Sequence, residues 1–438
     1  MSNIMIEQMP KYESYKDSGV EWLGELPTHW ETKQLKYIVK IHSGNGFPVE
    51  LQGLEGGVYP FLKVSDISGN EIYQSGSSNR VEEASVKRYK WNKVPVDSIV
   101  AAKIGEALRK NHRKILKEES IIDNNCIAFE PLYLDSKYNY YLHTVIDFEW
   151  FVNPGAVPSI SVSKYKELKV SLPPQGEQVA IAKFLDKKTS QIDEAIAIKQ
   201  KQIELLKERK QIIIQQAVTQ GLNPDAPMKD SGVDWIGQIP EHWGGVRFKN
   251  LFTQSRLPVR KGDGVVTSYR DGQVTLRSNR RVGGYTEAIL EGGYQGIRKG
   301  QLVLNSMDAF EGAIGVSDSD GKCTPEYVIC DPINSVNVSQ YYFAYLLREM
   351  ALAKYIQVIC NAVRQRAVRI RYSNLAPLFM VVPPIKEQED IVSFIEKESA
   401  QLDAGTKHLN EQISKLKEYK ATLINSAVTG KIKVMELK

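Results

Sequence analysis

Residues 16–30 read KDSGVEWLGELPTHW, and residues 229–243 read KDSGVDWIGQIPEHW. The two stretches are offset by 213 positions and agree at Lys16/Lys229, Asp17/Asp230, Ser18/Ser231, Gly19/Gly232, Val20/Val233, Trp22/Trp235, Gly24/Gly237, Pro27/Pro240, His29/His242 and Trp30/Trp243. A segment this rich in tryptophan, glycine and proline forms a small folded knob. Each knob has one histidine and no second ligand beside it, so packing explains the histidine better than metal binding does. The repetition means that the chain is written twice.

A second match supports this. PPQGEQ at 173–178 corresponds to PPIKEQ at 383–388, and a long charged segment follows each. In the first segment Ile192, Ile196, Ile203, Leu206 and Ile213 fall on alternating four- and three-residue steps, with Lys199 and Lys210 filling the two gaps. In the second, Leu402, Leu409, Ile413, Leu416 and Leu423 fall on the same steps. This is the heptad seam of a paired helix, with Glu, Lys and Gln on the solvated face. Lys210 and Lys420 fall in the seam at equivalent places, where polar residues set register at some cost in stability. Each seam, 192–217 and 402–427, is roughly 39 Å long at 1.5 Å per residue. Such a helix is marginal alone, and its simplest partner is the other copy.

Between knob and helix the two halves differ. Residues 31–170 and 244–380 carry short alternating apolar runs broken by Gly, Asn and Pro, such as VDSIVAAKIG (96–105) and GVVTSYRDGQVTL (264–276). Those are strand-and-turn signatures, with helical patches expected near 137–150 and 339–356. The expected fold is α+β. Two globular domains with curved β-sheets are separated by a two-helix antiparallel coiled coil, and the internal repeat makes a pseudo-twofold. The expected partition is 1–170 for the first knob and domain, 171–225 for the first helix, 226–380 for the second knob and domain, and 381–438 for the second helix.

The 438 residues carry a net charge of +5, which decides little. Its clustering says more. Residues 246–300 hold eleven Lys and Arg against four acids, and 361–371 (NAVRQRAVRIR) hold four arginines and no acid. Residues 103–117 hold six cations against Glu106 alone. Basic loops with interleaved Asn, Gln and Tyr suit DNA, because cations neutralise phosphates while Arg, Asn and Gln fork onto base edges. The candidate DNA contacts are Asn45, Lys63, Lys103, Arg109, Lys110 and Arg113 in the first half. In the second they are Tyr269, Arg270, Arg277, Asn279, Arg280, Arg281, Arg364, Arg366 and Arg369.

Catalytic constellations are missing. The sequence has no GxxxxGK[ST] loop, no GxSxG elbow and no Asn/Asp-Pro-Pro-aromatic segment. The ExK matches, Glu208-Arg209-Lys210 and Glu418-Tyr419-Lys420, lie on the charged helices. The chain therefore reads as a binder with no catalytic residue and no metal site. Cys126, Cys323, Cys330 and Cys360 share no CxxC spacing and are expected to be thiols in a reducing compartment. No signal peptide or membrane-spanning run is visible, so a cytoplasmic protein without a membrane partner is expected.

The knob core W-L-G-x-x-P-x-H-W, the stretch YPFLKVSDI (59–67), the PPxxEQ helix entry and the duplication together resemble the specificity subunits of type I restriction-modification enzymes. The resemblance covers nearly the whole chain. It implies two target recognition domains that each read half of a split double-stranded DNA site, with the helices setting the gap. It also implies two docked methyltransferase subunits acting on adenine N6, and restriction subunits joined through them. S-adenosylmethionine, ATP and Mg are then expected on those partners, with no cofactor on this chain. The rival reading is an autonomous coiled-coil scaffold that binds proteins.

Overall fold

The computed structural model describes residues 6–54, 56–69, 71–74, 76–153, 155–280, 293–333, 336–360 and 369–434. The chain divides into two compact units. One is Met1–Gln200 with Asn410–Lys438, and the other is Lys201–Leu409. The sequence partition gives each long helix a segment of its own; here each helix is shared between the units.

In the first unit the knob is a hairpin, Tyr15–Asp17 against Glu25–Pro27, with Tyr15 opposite Pro27. In the second it is Met228–Asp230 against Gln238–Pro240, with Met228 opposite Pro240. The turns close alike: Asp17 Oδ1 accepts from Gly19 N, and Asp230 Oδ1 from Gly232 N, both at 2.9 Å. A second pairing also repeats in register. Leu172 lies opposite Glu31 in one unit, and Val382 opposite Gly244 in the other.

Each unit then builds one larger open sheet. In the first the order is Val39–Ser43, Cys126–Pro131, Ile99–Ala102, Arg113–Leu116, Tyr73–Gln74. In the second it is Phe252–Ser255, Tyr327–Pro332, Leu302–Asn305, Ile314–Val316. The apolar positions expected of these strands are buried, including Ile99, Val100, Leu302 and Leu304. A helix accompanies each sheet, Ser136–Val145 and Gln340–Leu352, where the sequence places helical patches. Tyr342, Phe343, Leu346 and Leu347 from the latter enter the core with Phe248 and Phe252. Cys126, Cys323 and Cys330 are buried free thiols, and Cys360 is half-buried.

The long helices are Gln175–Gln220 and Ile385–Val428. All ten expected seam residues are withdrawn from solvent. Ile192, Ile196, Ile203, Ile413 and Leu423 are buried, and Leu206, Ile213, Leu402, Leu409 and Leu416 are half-buried. Near its end the first helix turns Ile214, rather than Ile213, into the core. The two seam lysines each find an aspartate. In the first unit Lys420 Nζ lies 2.6 Å from Asp193 Oδ2, and in the second Lys210 Nζ lies 2.7 Å from Asp403 Oδ2.

The PPxxEQ motif joins knob to helix. Gln178 Nε2 donates to Pro173 O at 3.0 Å, while its Oε1 accepts from Asp135 N at 2.9 Å. Gln388 repeats this with Pro383 O at 2.8 Å and Ser339 N at 2.9 Å. Glu177 takes His29 Nε2 at 2.6 Å, and Glu387 takes His242 Nε2 at 2.8 Å. The knob histidines are thus structural partners of a carboxylate. The copies differ at the second knob tryptophan. Trp30 Nε1 donates to Glu177 Oε2 at 3.0 Å, whereas Trp243 Nε1 is buried without a partner among the described residues.

Each unit also receives the end of the long helix that starts in the other. In the first unit Ser171 Oγ donates to Val428 O at 2.7 Å, and Lys431 Nζ donates to Leu23 O, also at 2.7 Å. In the second, Tyr342 OH donates to Val218 O at 2.8 Å.

Candidate nucleic-acid interface

The strand order brings distant loops to one edge. In the first unit Ser43 lies opposite Ile127, and Cys126 opposite Ala102. Two outer strands therefore end where the middle one begins. Asn45, Lys103 and the turn Asp123–Asn125 meet there. Asn45 N donates to Ile122 O at 2.8 Å, and Lys103 N donates to Asn125 O at 2.7 Å. Ile160 N closes the edge by donating to Lys103 O at 3.1 Å. Asn45 Oδ1 accepts from Asn92 N, while its Nδ2 is buried with no partner among the described residues.

The second unit makes the same edge from different residues. Ser255 lies opposite Ile329, and Asn305 opposite Tyr327. Arg256, Ser306 and the turn 324–326 meet there, and Ile370 N donates to Ser306 O at 3.3 Å. The pair Ile370–Ser306 thus stands where Ile160–Lys103 stands in the first unit. A cleft of about 550 Å³ opens at this edge, lined by Gln254, Arg256, Ser306, Glu326, Arg369 and Arg371 among others.

The remaining candidates are dispersed. Lys63 Nζ donates to Gln52 Oε1 at 2.7 Å and lies 5.2 Å from the Phe47 ring centre. Arg109 is exposed and holds Glu149 at 2.8 Å, and Lys110 is exposed at the end of the same short helix. Arg113 must be corrected. It is only 5% exposed, its guanidinium donates to Asn111 O at 2.6 Å and Ile146 O at 2.8 Å, and it lies 3.9 Å from the Phe148 ring centre. Burial pulls its pKa below the usual arginine value. It holds the core together and does not face a ligand.

In the second unit a hairpin, Val266–Ser268 against Val274–Leu276, gathers several candidates. Arg280 stacks 4.1 Å from the Tyr269 ring centre and holds Asp271 at 2.9 Å. Arg270 bonds to Asp308 at 3.0 Å and to Glu311, which raises its pKa. Asn279 donates to Thr275 Oγ1 at 2.9 Å, and Arg277 Nε to Thr267 Oγ1 at 3.5 Å. Arg281, Arg364 and Arg366 lie outside the described residues. The candidate list omits Gln254, Arg256, Arg371 and Asn125. Arg256 and Arg371 fall in the basic stretches 246–300 and 361–371, whereas Gln254 and Asn125 have no signal in sequence beyond the offset that superposes Ile160 on Ile370.

Among the described residues no group of three or more His, Cys, Asp or Glu converges to hold a metal, and no helix is long and apolar enough to cross a membrane. The site offers amides, hydroxyls and guanidinium groups, which recognise by hydrogen bonding and charge.

Comparison with known proteins finds specificity proteins of type I restriction systems. Residues 27–208 match the family model described as type I restriction modification DNA specificity domain. A Methanocaldococcus jannaschii protein assigned as the MjaX specificity subunit of a type I restriction enzyme is 24% identical, over 98% of this chain and 99% of its own. The EcoBI specificity subunit of Escherichia coli is 23% identical, over 68% of this chain and 67% of its own. Among solved structures, a chain reported under complex assembly and conformational transition of the type I R-M system aligns with a TM-score of 0.68 at 12% identity, covering 92% of this chain and 98% of that one. The HsdS subunit from Thermoanaerobacter tengcongensis aligns with a TM-score of 0.52 at 13% identity, covering 93% and 98%. Over nearly its whole length the chain is therefore similar to type I restriction enzyme specificity subunits, and residues 27–208 match the corresponding DNA specificity domain.

Proposed function

We propose that this chain is the subunit that tells a type I restriction-modification complex which DNA to act on. Each unit reads one half of a two-part site. The long helices pair as an antiparallel coiled coil that sets the unread gap. The repeated frame docks two adenine-N6 methyltransferase subunits, and ATP-dependent motor-nuclease subunits join through them. S-adenosylmethionine, ATP and Mg belong to those partners, and this chain performs no chemistry.

One observation carries the reading. Both units build the same three-strand edge from the same frame, yet line it differently. Asn45, Lys103 and Asn125 stand at one edge, and Gln254, Arg256 and Ser306 at the other. A constant mount with variable side chains suits one protein partner met twice and two different DNA half-sites. The expected site is therefore asymmetric. Sequencing of methylated bases in cells with and without the chain tests this, and a palindromic site would overturn independent reading by the two units. The scaffold alternative makes a different prediction. It requires no salt-dependent affinity for duplex DNA, whereas DNA reading requires affinity that falls steeply with salt.

A further inference from the structure

Several arginines of the second unit already have partners. Arg270 is bonded to Asp308 and Glu311, Arg280 to Asp271, and Arg298 to Asp263. Arg260 lies 3.6 Å from Asp320, and Arg247 lies 5.5 Å from the Phe379 ring centre. Arg256 and Arg371 differ. Both are exposed, both line the cleft at the sheet edge, and neither has an acidic partner among the described residues. Glu326 also lines this cleft, against three arginines. The lining of this cleft therefore carries an excess of positive charge.

The backbone beneath the two arginines is pinned. Tyr372 OH donates to Phe252 O at 2.7 Å, tying the segment after Arg371 to the strand that leads into Arg256. Ile370 N donates to Ser306 O, and Ser306 Oγ donates back to Ile370 O. Asn374 Oδ1 accepts from Arg371 N at 2.9 Å. The two side chains rise from fixed points, but among the described residues no neighbour holds their guanidinium groups. Base readout needs an oriented guanidinium plane, such as that of Arg280 between Asp271 and Tyr269. An unspent, freely rotating guanidinium suits a phosphate, which demands charge and tolerates many approach angles.

We infer that this cleft seats a backbone phosphate of the DNA between Arg256 and Arg371, fixing the register of the second unit on its half-site. The inference rests on the DNA-reading function proposed above. The test measures binding of the full chain to random-sequence duplex DNA across a salt series. The double variant R256Q/R371Q should lower the slope of log affinity against log salt by about 1, the value for one lost phosphate contact. It should weaken all duplex sequences alike and leave Tm unchanged, since both side chains are exposed. R256K/R371K keeps the charge and should keep the slope. An unchanged slope in the glutamine double variant would overturn the phosphate seat. So would loss of the slope in the lysine variant, or weakening confined to one base position. Absence of salt-dependent binding by the unsubstituted chain would instead overturn the DNA-reading function itself.

Discussion

Arg113 and Arg256 are the same residue type in two basic stretches, and the fold gives them opposite jobs. Arg113 satisfies the buried carbonyl of Ile146 and the half-buried one of Asn111, and packs on Phe148. Removing it leaves those acceptors unpaired, so Arg113→Met should cost about 2–4 kcal/mol of stability. Thermal unfolding checks this, and the salt slope of DNA binding should not move. Glu349 is a second buried charge that the basic-residue count overlooks. It is 6% exposed, and Gln211 Nε2 donates to both its oxygens at 2.7 Å. Burial pushes its carboxyl up to about 7, against the opposing pull of Gln211 and of Arg348. The folded state therefore holds this proton more tightly than the unfolded chain, whose carboxyl titrates near 4.5. Stability from this group is present below pH 4.5 and is lost as pH rises towards 7 and beyond. Glu349→Gln should exceed the parent by about 1–3 kcal/mol at pH 8 and converge with it near pH 5. An equal gap at both pH values would show that the carboxyl does not titrate in this way.

At the scale of elements, the repeated motifs explain one another. The glutamate of each PPxxEQ holds a knob histidine, and the glutamine locks the helix entry to the neighbouring loop. Heptad spacing foretells which helix faces are withdrawn. It does not foretell that Lys210 and Lys420 each reach an aspartate on the facing helix, because that depends on the offset between helices. Nor does it place Ile214 in the core in preference to Ile213. Gly430 shows how tightly a helix end is seated. Its φ is +71°, and a Cβ there would stand 2.5 Å from Pro27 Cδ and 3.0 Å from Trp30 Cζ3. Gly19 has φ +64° but nothing within 4 Å of a Cβ. Gly19→Ala should cost about 1 kcal/mol, for backbone strain alone. Gly430→Ala should cost about 1–3 kcal/mol more, because the helix end must move off the knob. Denaturant midpoints of the two variants would compare them directly, and equal losses would rule out the steric account.

For the whole molecule, each compact unit takes the start of one long helix and the end of the other. If the paired helices set the gap between half-sites, their length is a ruler. Four residues inserted into each long helix add roughly 6 Å, about two base pairs at 3.4 Å per pair. Sequencing of methylated sites should show a gap longer by about two base pairs with both half-sites intact. An unchanged gap would sink the ruler. The duplication, the two long helices, the mixed strand-and-helix build and the family resemblance were all readable in the sequence by itself. Each follows from local repetition or periodicity, which a linear text preserves. Only the tertiary structure decided which cations are spent and which are free, and which loops share an edge. Those outcomes depend on strands paired across tens of residues. Lys103 meets Asn125 and Ile160, and Arg256 meets the segment around Arg371, only after the sheets have formed.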